Sequence, residues 1–402
     1  MSVAPQITVA SSEVQEDRFS RLRLIPWWNQ EKIRETRVMV VGAGALGNEI
    51  LKNLALLGFQ RVIIVDLDRI EESNLSRAVL YRSSDVGEFK ASAAARSFRE
   101  LASDATVQPL AANLVHECGL GLFQWSDLII AGLDNREARL WINRAAWKMN
   151  RPWVDGAIEG INGVARVFVP GTPPCYECTL GETDWELLNR RMSCNLLLRE
   201  QDTAGKVPTT PTISSIIAGV QVQEALKLIH GLPTLAGRGY FFEGLNHSSY
   251  VVEYTENSEC MSHYTLESIV PLPQRSREMT LLDLMERARQ DLGASEVVIE
   301  FSRDVIHKLV CPKCNEEEER FDPAGSIRFE EGRCPRDGQQ RIVATLHNFS
   351  GEAEIGHRKL DDLGLPLFDV FTARSQGREI GYLMAGDEPD VLASLAVERR
   401  KS

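Results

Sequence analysis

The sequence predicts an α/β protein: a doubly wound domain over a mixed sheet, followed by a smaller α+β domain. Three observations carry this. A glycine-rich turn joins an apolar strand to an apolar helix near the N-terminus. Short β-type runs then alternate with helical periodicity as far as the helix-like stretch Ile213 to Leu228. Finally, a proline-bounded break, Val270-Pro-Leu-Pro273, separates this pattern from a different one.

Composition narrows the function. The 402 residues leave room for two or three domains with a large core. Apolar content of 43% and charged content of 25% are ordinary for a soluble globular chain. A net charge of −12 argues against a nucleic-acid binder and suggests basic patches on any partner. No apolar run is long enough for a membrane span and no signal peptide is visible, so no membrane partner and a cytoplasmic location are expected. The eight cysteines include two C-x-x-C pairs, which in that compartment suggest metal or redox work rather than disulfides.

Residues 1–16 are small, polar and without period, and read as a mobile arm. Asp17-Arg18-Phe19-Ser20-Arg21 precedes a short amphipathic segment through Trp27, Trp28 and Ile33, in which the tryptophans read as packing. Taken alone, Arg21 reads as one half of a surface ion pair. Val38 to Val41 is a buried-type strand, and Gly42, Gly44 and Gly47 then give G-x-G-x-x-G. Such glycines let backbone N–H groups approach a phosphate, and the helix N-terminus favours that anion. The helix runs from Leu46 to Leu57 and ends at Gly58. A second strand, Val62 to Val65, delivers Asp66 where an acidic residue meets a ribose hydroxyl. By itself this fits any dinucleotide-binding domain.

Asp68 follows, then Ser73-Asn74-Leu75-Ser76-Arg77 and Asp85-Val86-Gly87 with Lys90. A helix from Phe89 to Leu101 and a strand from Val107 to Leu110 continue the alternation. The strand Leu128 to Ala131 closes on Gly132-Leu133-Asp134-Asn135, and a helix spans Arg136 to Met149. Strands are expected at Trp153-Val-Asp155 and Val164 to Val169. Cys175-Tyr-Glu-Cys178 follows Pro173-Pro174 directly, a poor context for a helix-start redox pair. Next come Arg190-Arg-Met-Ser-Cys194 and a polar stretch from Arg199 to Thr212. Tyr240 to His263 ends in Cys260-Met-Ser-His263.

Together, these motifs make residues 18 to 263 resemble the adenylating enzymes that activate ubiquitin and ubiquitin-like proteins, with their bacterial relatives serving molybdopterin and thiamine synthesis. The resemblance implies an ATP site at Gly42, Gly44, Gly47, Asp66, Asp68, Asn74, Arg77, Lys90 and Asp134. In it Asp66 holds the ribose, Asn74 helps place the phosphates, Arg77 and Lys90 neutralise them and Asp134 holds Mg²⁺. It also implies a homodimer in which Arg21 reaches the second copy's nucleotide. A structural zinc falls to Cys175, Cys178, Cys260 and His263, with histidine standing where the family has a cysteine; imidazole is a sound zinc ligand. Cys194, in a segment of about 180–212, matches the family's thioester-forming cysteine. Arg190 and Arg191 would favour its thiolate, whereas the neighbouring Leu196 to Leu198 would suit a buried inert thiol.

The second domain, 274–402, opens with helical apolar spacing from Leu281 to Leu292 and strand-like runs at Val297 to Phe301 and Val305 to Val310. Cys311-Pro-Lys-Cys314 and Cys334-Pro-Arg-Asp337 resemble the two knuckles of a zinc ribbon, 311–337, whose last ligand has become aspartate. Either a second zinc or a lapsed site fits. Glu316 to Glu319 reads as a solvated charged face. Leu360 to Phe371 resembles the end of a ubiquitin-like β-grasp module, and a small α+β interaction domain fits as well.

The expected activity is ATP-dependent adenylation of a ubiquitin-like protein, thioester formation on Cys194 and transfer to a conjugating enzyme met by the C-terminal domain. A bacterial ubiquitin-like conjugation pathway would be the setting. Two alternatives stand beside it: an adenylyltransferase for a sulfur-carrier protein, without a thioester, and a non-catalytic nucleotide-binding scaffold.

Overall fold

The computed structural model describes residues 16–192, 208–351 and 353–396. Its first sheet has eight strands: β1 (Arg37–Val41), β2 (Arg61–Val65), β3 (Thr106–Leu110), β4 (Leu128–Ala131), β5 (Trp153–Glu159), β6 (Asn162–Phe168), β7 (Arg238–Glu243) and β8 (Ser248–Glu253). Their order is β3-β2-β1-β4-β5-β6-β7-β8. Strands β3 to β5 pair in parallel, and β6 to β8 continue the sheet antiparallel.

The parallel strands are Val/Ile-rich because both faces are covered. Val38 and Val40 of β1 point into one apolar cluster, Met39 and Val41 into the other, as the two-residue period of a strand requires. The first cluster is closed by α2 (Ala45–Leu57), α3 (Lys90–Leu101) and α8 (Pro211–His230). The short α1 (Gln30–Glu35) leads into β1, its N-terminus capped by the Asn29 side chain. The opposite cluster draws on α4 (Leu114–Glu117), α5 (Leu120–Trp125), α6 (Arg136–Lys148) and α7 (Glu182–Met192). Local signals set the helix ends. The Thr210 side chain caps α8 with Pro211 at its first position, and Gly58 and Gly231 end α2 and α8 in left-handed conformations.

The second sheet has six strands: β9 (Ile269–Leu272), β10 (Val298–Val310), β11 (Glu317–Pro323), β12 (Ile342–Phe349), β13 (Val370–Ser375) and β14 (Arg378–Met384). Their order is β11-β10-β13-β14-β9, with β12 also pairing β10. Helix α9 (Leu281–Leu292) lays Leu281, Leu284, Met285, Ala288 and Leu292 on this sheet, the expected amphipathic stripe. The short α10 (Ala353–Gly356) packs against α9, whereas α11 (Glu388–Ala396) packs against β3 of the first sheet. None of the described helices is long and apolar enough to cross a membrane.

Two sequence expectations change. Val270-Pro-Leu-Pro273, expected as a break, lies largely within a strand: Ile269–Leu272 pairs in parallel with β14 at the sheet edge, where Pro271 is tolerated. The runs at 297–301 and 305–310 form one strand, β10, whose register against β12 shifts between Glu300 and Val305. The bulge breaks the apolar alternation that the sequence reading relied on. The second sheet has its own buried cluster, and packing also continues across the break near residue 270. Phe368, Val370, Leu383, Leu392 and Leu395 share one buried cluster with Leu122, Phe123 and Trp153. The Gly121 N–H donates to the Phe368 carbonyl at 2.9 Å, and the Leu120 N–H to Asp369 Oδ1 at 2.8 Å. From β10, Arg303 donates to the carbonyls of Val115 and Cys118 and lies over the Trp141 ring.

Candidate nucleotide site and cysteine clusters

Strand order reverses between β1 and β4, and the carboxyl ends of two such strands form the crevice where open α/β sheets bind ligands. Glycines build its floor. Gly42 has φ +89°, and a Cβ on it would lie 2.6 Å from the Gly132 carbonyl oxygen. A Cβ on Gly47 would lie 1.9 Å from the carbonyl oxygen of Gly42. Gly44, at the N-cap of α2, faces open space instead, leaving backbone N–H groups accessible to an anion.

Asp66 ties this turn to β2. Its Oδ2 accepts from the Ala43 N–H at 2.7 Å and its Oδ1 from the Asp68 N–H at 2.8 Å. The Ala43 carbonyl is held in turn by Asn48 Nδ2 at 2.7 Å and the Tyr81 hydroxyl at 2.6 Å. Burial pushes the Asp66 carboxyl above its ordinary range, with the Lys90 charge pulling the other way. Lys90 opens α3 and donates to Asp68 Oδ2 at 2.7 Å. Asn74 ends the turn Glu72–Asn74, its Oδ1 accepting from the Glu71 N–H at 3.0 Å. Arg77 is half-buried and donates to the Ser73 carbonyl at 2.6 Å. Asp134 is exposed just past β4, beyond the Gly132 that packs on Gly47. Asp66, Asp68 and Lys90 are thus in direct contact, while Asn74 and Arg77 form an adjacent turn. Arg18 and Arg21 are both exposed, and Arg18 donates to the Leu101 and Ala55 carbonyls.

Sequence reading missed the groups beneath the Asp134 loop. Arg139 of α6 donates to the Leu133 carbonyl, to the Gly156 carbonyl at 3.0 Å and to Asp155 Oδ1 at 2.8 Å. Arg166 donates to Asp155 Oδ2 at 2.9 Å. Asp155 is fully buried; burial alone would raise its carboxyl, but the charges of Arg139 and Arg166 outweigh it and hold it low. On the other side, Gln221 Nε2 donates to the Ala131 carbonyl at 2.8 Å. The one available signal was an aspartate in an otherwise apolar strand, which is seldom buried unless paired.

Two clusters gather the predicted metal ligands. In each, Cys175, Cys178, Cys260 and His263 or Cys311, Cys314, Cys334 and Asp337, the four ligand atoms lie within 4.8 Å of one another. In the first, Cys175 Sγ is 3.8 Å from Cys178 Sγ and 3.6 Å from Cys260 Sγ, and Cys178 Sγ is 3.4 Å from His263 Nε2. Zinc–ligand bonds of about 2.0–2.3 Å in a tetrahedron require edges of roughly this length, so the donor set fits zinc. Asn143 Nδ2 donates to Cys175 Sγ at 3.3 Å, and His263 stacks on Trp147 at 4.5 Å, so the ligands are held from behind. Cys194 lies outside the described residues, between α7 and α8.

A phosphate-type glycine turn at the switch point, an acidic pair with a lysine beside it and a cluster of four potential metal ligands mark an α/β protein with a candidate nucleotide site and a candidate metal site. More specifically, the ThiF family model matches residues 16–262, and the chain belongs to that family. The chain is 39% identical over 165 residues to the NEDD8-activating enzyme E1 catalytic subunit of Arabidopsis thaliana, covering 38% of this chain and 36% of the relative. It thus spans about a third of that relative's length. It is 30% identical over 259 residues to the sulfur carrier protein adenylyltransferase of Thermus thermophilus, covering 61% of this chain and 89% of the relative. The crystal structure of E. coli MccB shares the fold, with a TM-score of 0.52 and 21% identity over 63% of this chain and 75% of that one.

Proposed function

We propose that this chain uses ATP to adenylate the C-terminal carboxylate of a ubiquitin-like protein, forms a thioester with it on Cys194 and delivers it to a conjugating enzyme. The observation that carries the reading is the contact set of Asp66, Asp68 and Lys90 beside the interlocked glycines of the switch point.

The carboxylate is ionised at neutral pH, so it needs no general base. One of its oxygens bonds the α-phosphorus of ATP, the bond from that phosphorus to the bridging oxygen breaks, and pyrophosphate leaves. The barrier is the approach of one anion to another, so positioning and positive charge do the work. The N–H groups of the glycine turn and Lys90 hold the phosphates, Arg77 adds charge, and Asp66 accepts from the ribose. Arg21 is exposed and suits a role across a dimer, at the second copy's nucleotide. Asp134 would hold Mg²⁺, a hard cation that supplies charge against phosphate oxygen. The cluster Cys175, Cys178, Cys260 and His263 would hold a structural zinc. The Cys194 thiolate then attacks the acyl carbon, forming the C–S bond and releasing AMP. The second module would meet the conjugating enzyme.

A second reading stops at the acyl-adenylate and serves a sulfur-carrier protein; the 89% coverage of the Thermus relative favours it. ATP–pyrophosphate exchange with candidate ubiquitin-like proteins tests the adenylation common to both. Exchange that depends on a free C-terminal carboxylate supports it, and nucleotide binding without exchange would leave only a scaffold. A thiol-sensitive adduct then separates the two readings.

A further inference from the structure

The end of the second module carries the same hydrogen-bonded turn twice. In Cys311-Pro-Lys-Cys314-Asn315 the Cys311 N–H donates to the Glu316 carbonyl at 2.9 Å, and the Asn315 N–H returns to the Cys311 carbonyl at 3.0 Å. In Cys334-Pro-Arg-Asp337-Gly338 the Cys334 N–H donates to the Gln339 carbonyl at 2.8 Å, and the Gly338 N–H returns to the Cys334 carbonyl at 2.9 Å. Asn315 and Gly338 both take positive φ, 55° and 70°. Asp337 therefore occupies the position in its turn that Cys314 occupies in the other.

The turns face each other. Cys314 Sγ lies 3.6 Å from Cys334 Sγ, and Asp337 carries its two oxygens 3.5 and 3.6 Å from Cys311 Sγ. A disulfide requires about 2.05 Å between sulfurs, whereas a tetrahedral zinc with sulfur at about 2.3 Å and oxygen at about 2.0 Å gives edges of roughly 3.5–3.8 Å. Apolar packing does not account for the convergence. The local cluster buries only Ile306, Leu309 and Ile327, with Ala324, Phe329 and Val343 partly covering them. A core of that size does not fix a ribbon without a staple.

We propose that Cys311, Cys314, Cys334 and Asp337 form a second, closed structural zinc site, with the Asp337 carboxylate as a true ligand, and that this metal rather than apolar packing folds the 311–341 tip. The site belongs to the module beyond the family match, and the inference is independent of the adenylation chemistry. Glu316 is the competing carboxylate, 3.7 Å from Cys334 Sγ, but it is held by Arg336 at 3.0 Å and stays outside the ligand set. The carboxylate makes the site more exchangeable than an all-thiolate one, since thiolate is the softer donor.

Zinc counted on the full-length purified chain tests this. Wild type should carry two equivalents, with one lost in Asp337→Ala or Cys311→Ser and neither lost in Glu316→Gln. Asp337→Cys should keep both and need at least about tenfold more EDTA to release the ribbon zinc. In Asp337→Ala a protease should cut within 324–341 while the remaining zinc stays bound. Zinc content unchanged by both Asp337→Ala and Cys311→Ser would overturn the site. Loss in Cys311→Ser together with full retention and unchanged EDTA release in the Asp337 variants would overturn Asp337 as ligand. If Asp337→Ala does not fold, Asp337→Cys and the wild-type count decide instead: a single equivalent insensitive to Cys311→Ser refutes the proposal.

Discussion

Lys90 and Asp68 are bound to each other twice: the Lys90 Nζ donates to Asp68 Oδ2 at 2.7 Å, and the Lys90 N–H to the Asp68 carbonyl at 2.9 Å. The backbone bond fixes the start of α3, while the side-chain bond holds the lysine's charge beside the glycine turn. Lys90→Ala should therefore lower pyrophosphate exchange by about 10²–10³-fold, the usual loss when one preorganised charge at a reacting phosphate is removed. Melting should fall only modestly: the Lys90 side chain is largely buried, but Asp68 is exposed, and such a half-exposed pair contributes about 1 kcal/mol. Normal exchange in this variant would remove Lys90 from the site.

Asp155 predicts a loss of stability together with a loss of exchange. Asp155→Asn strips a buried carboxylate from both Arg139 and Arg166, and breaking such a network costs roughly 3–5 kcal/mol. The melting temperature should fall clearly. Exchange measured well below the new midpoint should fall too, since Arg139 also holds the Leu133 carbonyl next to Asp134. A variant with wild-type melting would show that the network contributes no stability.

His116 makes stability depend on pH. Its imidazole is held at about 4 rather than its ordinary 6.5, first by burial and then by the neighbouring Arg303 charge. The unfolded chain takes up this proton near pH 6.5, the folded chain only near pH 4, so the contribution is complete above 6.5 and falls away between 6.5 and 4. A loss of about 2 kcal/mol is expected between pH 7 and pH 5. Denaturant midpoints at the two values measure it, and His116→Gln should flatten the difference. An equally steep dependence in His116→Gln assigns the effect to other groups.

Cys194→Ala should keep pyrophosphate exchange and lose the thiol-sensitive adduct with the ubiquitin-like protein, because none of the proposed adenylation groups is a thiol. Cys118 is the control: it is buried, and burial pushes its thiol up to about 12, so it should not react. A thiol-sensitive adduct that survives in Cys194→Ala would mean that another cysteine is the acceptor.

Local chemistry was legible in the sequence. The run from Val38 through Gly58 to Asp66 carries its own strand period, turn glycines and helix stop, so its elements are readable without tertiary context. The same holds for α9, whose apolar stripe repeats at helical spacing. The two four-ligand clusters were legible because their half-sites are short local motifs. What escaped was set by distant partners. Pro271 reads as a breaker until β14 supplies the neighbour that makes it an edge strand. Ser302, Arg303 and Asp304 read as a gap between two strands, although Arg303 reaches from a bulged strand to the first module. Asp155 and Arg139 were ordinary charged residues until the fold buried them together.

The cluster that holds Phe368 and Leu392 against Leu122 and Phe123 has a practical bearing on any attempt to divide this chain. A fragment ending before β9 would leave the partners of those side chains in water and the Leu120 and Gly121 amides without their acceptors, and such apolar surface drives association. The fragment should therefore precipitate or recruit chaperones, whereas the complementary C-terminal piece, supplied in trans, should restore it to solution.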